Sequence, residues 1–124
     1  MPVLFHTGEG DHLEDVAELA RRCPDVSLLV GHAAQDISFE GMAELANTCP
    51  NVYVDMTVPE SYNVVEFFVA ALNDVRQLIW GTDFPWGNCH FRVGAVIYAR
   101  LPDETKRRIL GQNLLELLGL NPLT

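Results

Sequence analysis

Short apolar runs alternate with mixed polar and apolar stretches along the whole chain. Val3-Leu4-Phe5-His6, Val26-Ser27-Leu28-Leu29-Val30-Gly31, Val52-Tyr53-Val54-Asp55 and Leu78-Ile79-Trp80 are short and aliphatic or aromatic, which marks them as strands near 3–6, 26–31, 52–56 and 77–82. The intervening patterns predict helices near 12–22, 39–48, 61–73 and 91–100. From Pro102 to Leu120 the chain reads as two short helices, with Gly111 breaking the first and Asn113 capping the second. Together these give four βα units. Because the strand runs are continuously apolar rather than alternating, they predict a parallel sheet covered on both faces.

An internal echo supports the repeated unit. Glu18-Leu19-Ala20-Arg21-Arg22-Cys23-Pro24-Asp25-Val26 recurs as Glu44-Leu45-Ala46-Asn47-Thr48-Cys49-Pro50-Asn51-Val52, so each copy reads as helix, Cys-Pro turn, strand. Pro24 and Pro50 end their helices because the ring disfavours helical geometry in the preceding residue.

Three strands end on or just before a residue that can bind a metal or move a proton: His6, His32 and Asp83. In a parallel sheet these lie at one edge, where α/β folds place their chemistry. A single histidine there can simply hydrogen-bond a loop, but three such groups on one edge favour a shared pocket. Asp55 ends the third strand at the same edge, where it either supports or contacts a substrate or caps a turn. Trp86, with Phe84 and Pro85, either lines the pocket or packs against the next helix. His12 and His90 read as surface or helix-start residues.

With 124 residues the chain is expected to form a single domain over 1–124, and 48% hydrophobic residues suffice for a core. A net charge of −9 opposes binding to nucleic acid or anionic membranes. No apolar run approaches a membrane span, and the first residues lack a secretory signal pattern, so the cytoplasm is expected. Cys23, Cys49 and Cys89 are odd in number and form no C-x-x-C pair, which points to reduced thiols. Lys106 is the only lysine and lies in a charged segment, which disfavours lysine chemistry. Neither phosphate-binding glycine signature occurs, nor does the G-x-S-x-G of serine hydrolases.

Pro2-Val3-Leu4-Phe5-His6-Thr7-Gly8, Leu29-Val30-Gly31-His32-Ala33, Asn51-Val52-Tyr53-Val54-Asp55, Ile79-Trp80-Gly81-Thr82-Asp83-Phe84-Pro85 and Ile109-Leu110-Gly111-Gln112-Asn113 resemble the amidohydrolase-related family. The resemblance is to strands five to eight of a (β/α)8 barrel, and so implies half of a TIM barrel. It implies a metal-dependent hydrolase or non-oxidative decarboxylase acting on a small organic acid or amide. His6 and Asp83 match metal ligands of that family, and His32 matches its acid/base beside the metal. The family's first strand adds a His-x-His pair, which this chain does not contain.

Two imidazoles and a carboxylate are a suitable donor set for a divalent ion, zinc being the expected one. For His6 and Asp83 to converge, the sheet must curve as in a barrel, since strands are spaced by about 4.8 Å. A half barrel also leaves strand edges and an inner face to be covered, so a homo-oligomer that completes the barrel is expected. Two functions remain open at this point. The chain is either the catalytic half of such an enzyme, completed by a second copy or an N-terminal half, or a non-catalytic half barrel acting as an assembly module. A chain read from a longer gene is a third possibility.

Overall fold

The computed structural model describes residues 1–7, 12–33, 38–57 and 63–120. The four apolar runs form strands β1 (Val3–His6), β2 (Leu28–Gly31), β3 (Val52–Asp55) and β4 (Leu78–Ile79). They pair in chain order and all parallel. Helices α1 (Leu13–Arg22), α2 (Phe39–Thr48), α3 (Val64–Ala71) and α4 (Cys89–Ile97) follow the strands in turn. The expected α/β fold of four βα units is thus present. Residues 61 and 62 of the expected third helix lie outside the described residues. β4 is shorter than expected: its ladder with β3 ends at Ile79, and beyond it the Trp80 indole donates to the Arg92 carbonyl in α4 at 3.1 Å.

Side-chain alternation divides the sheet into two unlike faces. Leu28, Val30, Val52, Val54 and Leu78 are buried in the core that the sheet forms with the helices. Leu4, His6, Leu29, Gly31, Asp55 and Ile79 instead line an open concavity. The expectation that both faces are covered therefore holds for one face only, and Leu4 is 65% exposed on the other. The runs are continuously apolar because Leu4, Leu29 and Ile79 make the open face apolar as well.

The helices are oriented by their apolar stripes and caps. α1 buries Val16, Ala17 and Ala20 and turns Glu14, Asp15, Glu18, Arg21 and Arg22 outward. Ser38 caps α2 by accepting from the Gly41 N–H, and Asn88 caps α4 by accepting from the His90 and Phe91 N–H groups.

Below the strands the sequence echo becomes a structural device. The Asn51 carboxamide donates to the carbonyls of Ala20, Cys23 and Val26 at 3.2, 3.1 and 3.0 Å. One unit later, Gln77 donates to Ala46, Cys49 and Val52 at 2.7, 3.4 and 2.8 Å. Each member of the second set lies one repeat beyond its counterpart in the first. A helix end, its Cys-Pro turn and the following strand are so tied to the next unit, satisfying carbonyls that the helix cannot.

Asn113 makes a third clamp, and it corrects the reading of the C-terminal segment. Asp103–Arg107 (α5), a π-helical turn at Arg108–Gln112 and Asn113–Leu117 (α6) follow one another without a break. Gly111 does not end a helix, and Asn113 does not cap one. The Asn113 side chain is buried and donates to the carbonyls of Val75 and Leu78, both at 2.8 Å. Long-range satisfaction of β4 outweighs the local preference of asparagine for a helix start. No described helix is long and apolar enough to cross a membrane.

Candidate active site

Strand register builds the site. His6 pairs with Gly31, so it ends β1 beside the point where β2 delivers His32. Asp55 pairs with Ile79, four residues before Asp83. All four polar groups therefore lie at the C-terminal edge of the parallel sheet, as the strand pattern requires. Thr7 secures this edge: buried completely, its hydroxyl donates to the Gly31 carbonyl at 2.7 Å.

His32 and Asp83 both adopt left-handed backbone, with φ of 61° and 55°. For residues with a Cβ this conformation costs about 1–2 kcal/mol each. Such strain persists where surrounding structure enforces it, and it concentrates at functional sites. Here it turns the two side chains toward each other, with His32 Nε2 and Asp83 Oδ1 3.9 Å apart. That separation exceeds a hydrogen bond but suits an ion pair when the imidazole is protonated. The His6 and His32 rings meet edge to face with centroids 4.9 Å apart. Nδ1 of His32 is buried and has no hydrogen-bond partner among the described residues.

These groups surround a cavity of about 330 Å³, whose wall also includes Leu4, Leu29, Thr57 and Leu114. Asp55 forms part of its floor and is only 8% exposed. Burial pushes the Asp55 carboxyl above the usual aspartate range, opposed by its hydrogen bond from the Thr57 hydroxyl and by the nearby His32. Gly81 is needed where it stands, since a Cβ there would lie 2.8 Å from the Thr57 hydroxyl and 3.2 Å from Asp55 Oδ1.

The structure thus brings together His6, His32, Asp55 and Asp83. Trp86 is not in this cavity wall; it is 88% exposed in the loop after β4, and Phe84 and Pro85 are exposed beside it. His12 stands at the start of α1 with its ring 3.3 Å from Asp15, and His90 is exposed in the first turn of α4. Thr7, Thr57 and Gly81 escaped the sequence reading. The only signal for the threonines is a hydroxyl one or two positions beyond a strand end.

In donor type the cluster fits a divalent ion, with two imidazoles and a carboxylate at one mouth. In number and arrangement it falls short of a closed shell. Among the described residues, no three His, Cys, Asp or Glu side chains are placed to hold a metal ion by themselves.

A search among curated proteins finds no match to the chain. Among solved structures, the chain is similar to the crystal structure of 5-carboxyvanillate decarboxylase LigW from Sphingomonas paucimobilis, at 14% identity and a TM-score of 0.66. The match covers 89% of this chain but 38% of that one. At this identity the likeness concerns the fold: four βα units that coincide with part of a longer TIM-barrel chain. The family model described as Amidohydrolase matches residues 1–120, from the first strand through the C-terminal helix. The chain, with its parallel sheet and its His6, His32 and Asp83 at one edge, belongs to the amidohydrolase family.

Proposed function

We propose that this chain supplies the proton-transfer half of a metal-dependent amidohydrolase-type site, hydrolysing or decarboxylating a small organic acid or amide. The observation that carries this reading is the facing pair His32 and Asp83, both held in left-handed backbone beside His6 at the rim of a common cavity. Amidohydrolases generally use divalent metals. His6 and Asp83 are the residues that would hold such an ion, with zinc the best match to their donor types. Bound there, the ion would polarise a carbonyl or carboxylate of the substrate as a Lewis acid.

The protein's own contribution is proton movement and orientation. His32 Nε2 takes or delivers a proton at the reacting carbon or leaving group, and Asp83, 3.9 Å away, stabilises the imidazolium that forms. Trp86, exposed in the loop after β4 and outside the cavity wall, would approach the substrate from the mouth, and Asp55 lies buried beneath the reacting groups. Once covered by an opposing half, the apolar wall from Leu4, Leu29 and Leu114 would limit water around the pair. The donors still needed come from an opposing half, either a second copy of this chain or an N-terminal (βα)4 unit, which would also cover Leu4 and the free side of β1. A cytoplasmic setting agrees with three cysteines that form no disulfide.

One observation favours a second reading, a non-catalytic half barrel that serves assembly: no three described side chains are arranged to hold an ion. Native mass spectrometry after incubation with zinc separates the two, since one spectrum reports copy number and bound metal. Completed by a second copy, the enzyme reading expects an even-numbered assembly retaining zinc, with the zinc lost in His6→Ala and in Asp83→Ala; completed by an N-terminal unit, it expects zinc only when that unit is added. A folded assembly that retains no metal either alone or with an N-terminal (βα)4 unit would establish the assembly module instead.

A further inference from the structure

We infer that Asp55 and Thr57 are a positioning pair, a buried clamp at the end of β3 that holds His32 and Asp83 face to face. The inference rests on the acid–base reading of His32 and Asp83 but concerns a different pair of residues. It reassigns Asp55 from touching substrate to setting the geometry of the groups that do.

Three contacts converge on the clamp. The Thr57 hydroxyl donates to Asp55 Oδ2, and both side chains are buried, at 7% and 8% exposure. The Asp55 carbonyl accepts the N–H of Ala33 at 3.3 Å, and the Asp55 carboxylate lies close enough to His32 for that residue's ring and backbone to favour its charged form. Asp55 thereby engages the turn after β2 through its backbone at Ala33 and its side chain beside His32. That is what a left-handed histidine requires, because its conformation persists only when neighbouring groups over-determine it. On its other side, the segment leaving β4 passes so close that Gly81 has no room for a Cβ against Thr57 and Asp55. Two residues further on lies Asp83, with φ of 55°. One buried carboxylate and one hydroxyl therefore define both limbs on which the facing groups are mounted.

Nothing in the local folding of β3 requires this arrangement. The strand's core contacts come from Val52 and Val54, on the opposite face. A charged group buried at a strand end is a cost unless it is well hydrogen-bonded. Asp55 meets that condition through the Thr57 hydroxyl and lies beside His32, so its partners lead to the site.

The test reads geometry in the metal-free, substrate-free protein, so that it fails or succeeds independently of whether the chain is an enzyme. In NMR spectra of the full chain, the wild type is expected to show an NOE between the His6 and His32 rings and slow exchange of the His32 amide. Asp55→Ala should abolish the NOE and speed exchange of the His32 amide at least tenfold, with the strand amides of β2 and β3 unchanged. Asp55→Asn keeps an acceptor oxygen and should restore both signals, which a merely bulky filler such as Asp55→Leu should not. If Asp55→Ala fails to fold, Thr57→Val decides: at least a threefold faster exchange at His32 supports the clamp. A folded Asp55→Ala or Thr57→Val with wild-type NOE and exchange would overturn it. Loss of zinc binding or of activity with these signals intact would count against the proposed function and leave the clamp standing.

Discussion

At the N-terminal end of the sheet, three carboxamides, Asn51, Gln77 and Asn113, each donate to two or three carbonyls of neighbouring units. At the C-terminal end, His32 and Asp83 are held in left-handed backbone and the Asp55 carboxylate is buried, while among the described residues an unpartnered buried atom occurs at both ends, His32 Nδ1 above and Asn113 Oδ1 below. Both ends belong to the same four strands, so the contrast does not come from the fold. It separates groups whose hydrogen bonds tie neighbouring units together from groups to which the proposed chemistry falls, the division expected of the two ends of a barrel. The comparison implies a sign rule: truncation below the sheet destabilises, whereas relieving strain above it stabilises and disables the site.

The largest effect is expected from Gln77→Ala. It leaves the buried carbonyls of Ala46 and Val52 without their donor, at a cost of about 2–4 kcal/mol. Urea unfolding should show this as a lower midpoint with an unchanged slope. A loss below about 0.5 kcal/mol would mean that water replaces the clamp, and the contrast between the two ends would weaken.

Gly81→Ala comes next, because it sharpens the comparison by injuring the upper end sterically. Its Cβ would stand 2.8 Å from the Thr57 hydroxyl, forcing the hydroxyl or the strand to move at about 1–3 kcal/mol. The expected signature is a modest fall in stability together with loss of the His6–His32 ring contact. Equal stability with that contact retained would show that the segment is looser than its packing suggests.

Asp83→Gly tests the rule from the other side. Glycine adopts φ of 55° without a Cβ penalty, so the variant should be more stable than the wild type by about 1 kcal/mol. Zinc retention by the assembly should vanish at the same time. A destabilised variant would mean that Asp83 already repays its strain within the folded chain, through contacts beyond the facing imidazole.

Much of this architecture is legible in the amino-acid pattern, and the limits are physical. The four strands, the helices that follow them and the Cys-Pro turns are local signals, carried by apolar runs and by proline geometry. His6, His32 and Asp83 are visible for the same reason, since each follows such a run. The left-handed backbone at His32 and Asp83 is not visible, because neither is glycine and the strain is imposed by neighbours distant in sequence. Asn113 misleads for a related reason: locally it suits a helix start, yet its carboxamide serves a carbonyl 35 residues earlier. Thr57 and Gly81 belong to the same class, with meaning only once β3 and β4 lie side by side. The open concave face is likewise invisible, because an exposed leucine such as Leu4 reads the same as a covered one.

The smallest expected effect is a pH dependence whose sign distinguishes the two ends. Burial raises the Asp55 carboxyl above its ordinary value of 3.8, so the folded state holds this proton in a range where the unfolded chain has released it. Stability contributed by Asp55 is therefore full below pH 3.8 and is lost as pH rises through its raised folded value. Asp74, near the lower end, behaves oppositely: its hydrogen bond from Arg76 lowers its carboxyl below 3.8, so its contribution is present above that value and is lost as pH falls through the lowered one. Asp74 is surface-lying and its effect is correspondingly slight. Urea midpoints measured with chelator from pH 3 to 7 should thus show Asp55→Asn gaining on the wild type as pH rises above 3.8, and Asp74→Asn losing least against it in the most acid samples. If the gap between Asp55→Asn and the wild type stayed constant over that range, the carboxyl would carry the same charge state folded and unfolded. The upper end would then lose the buried, destabilised carboxylate that sets it apart from the lower one.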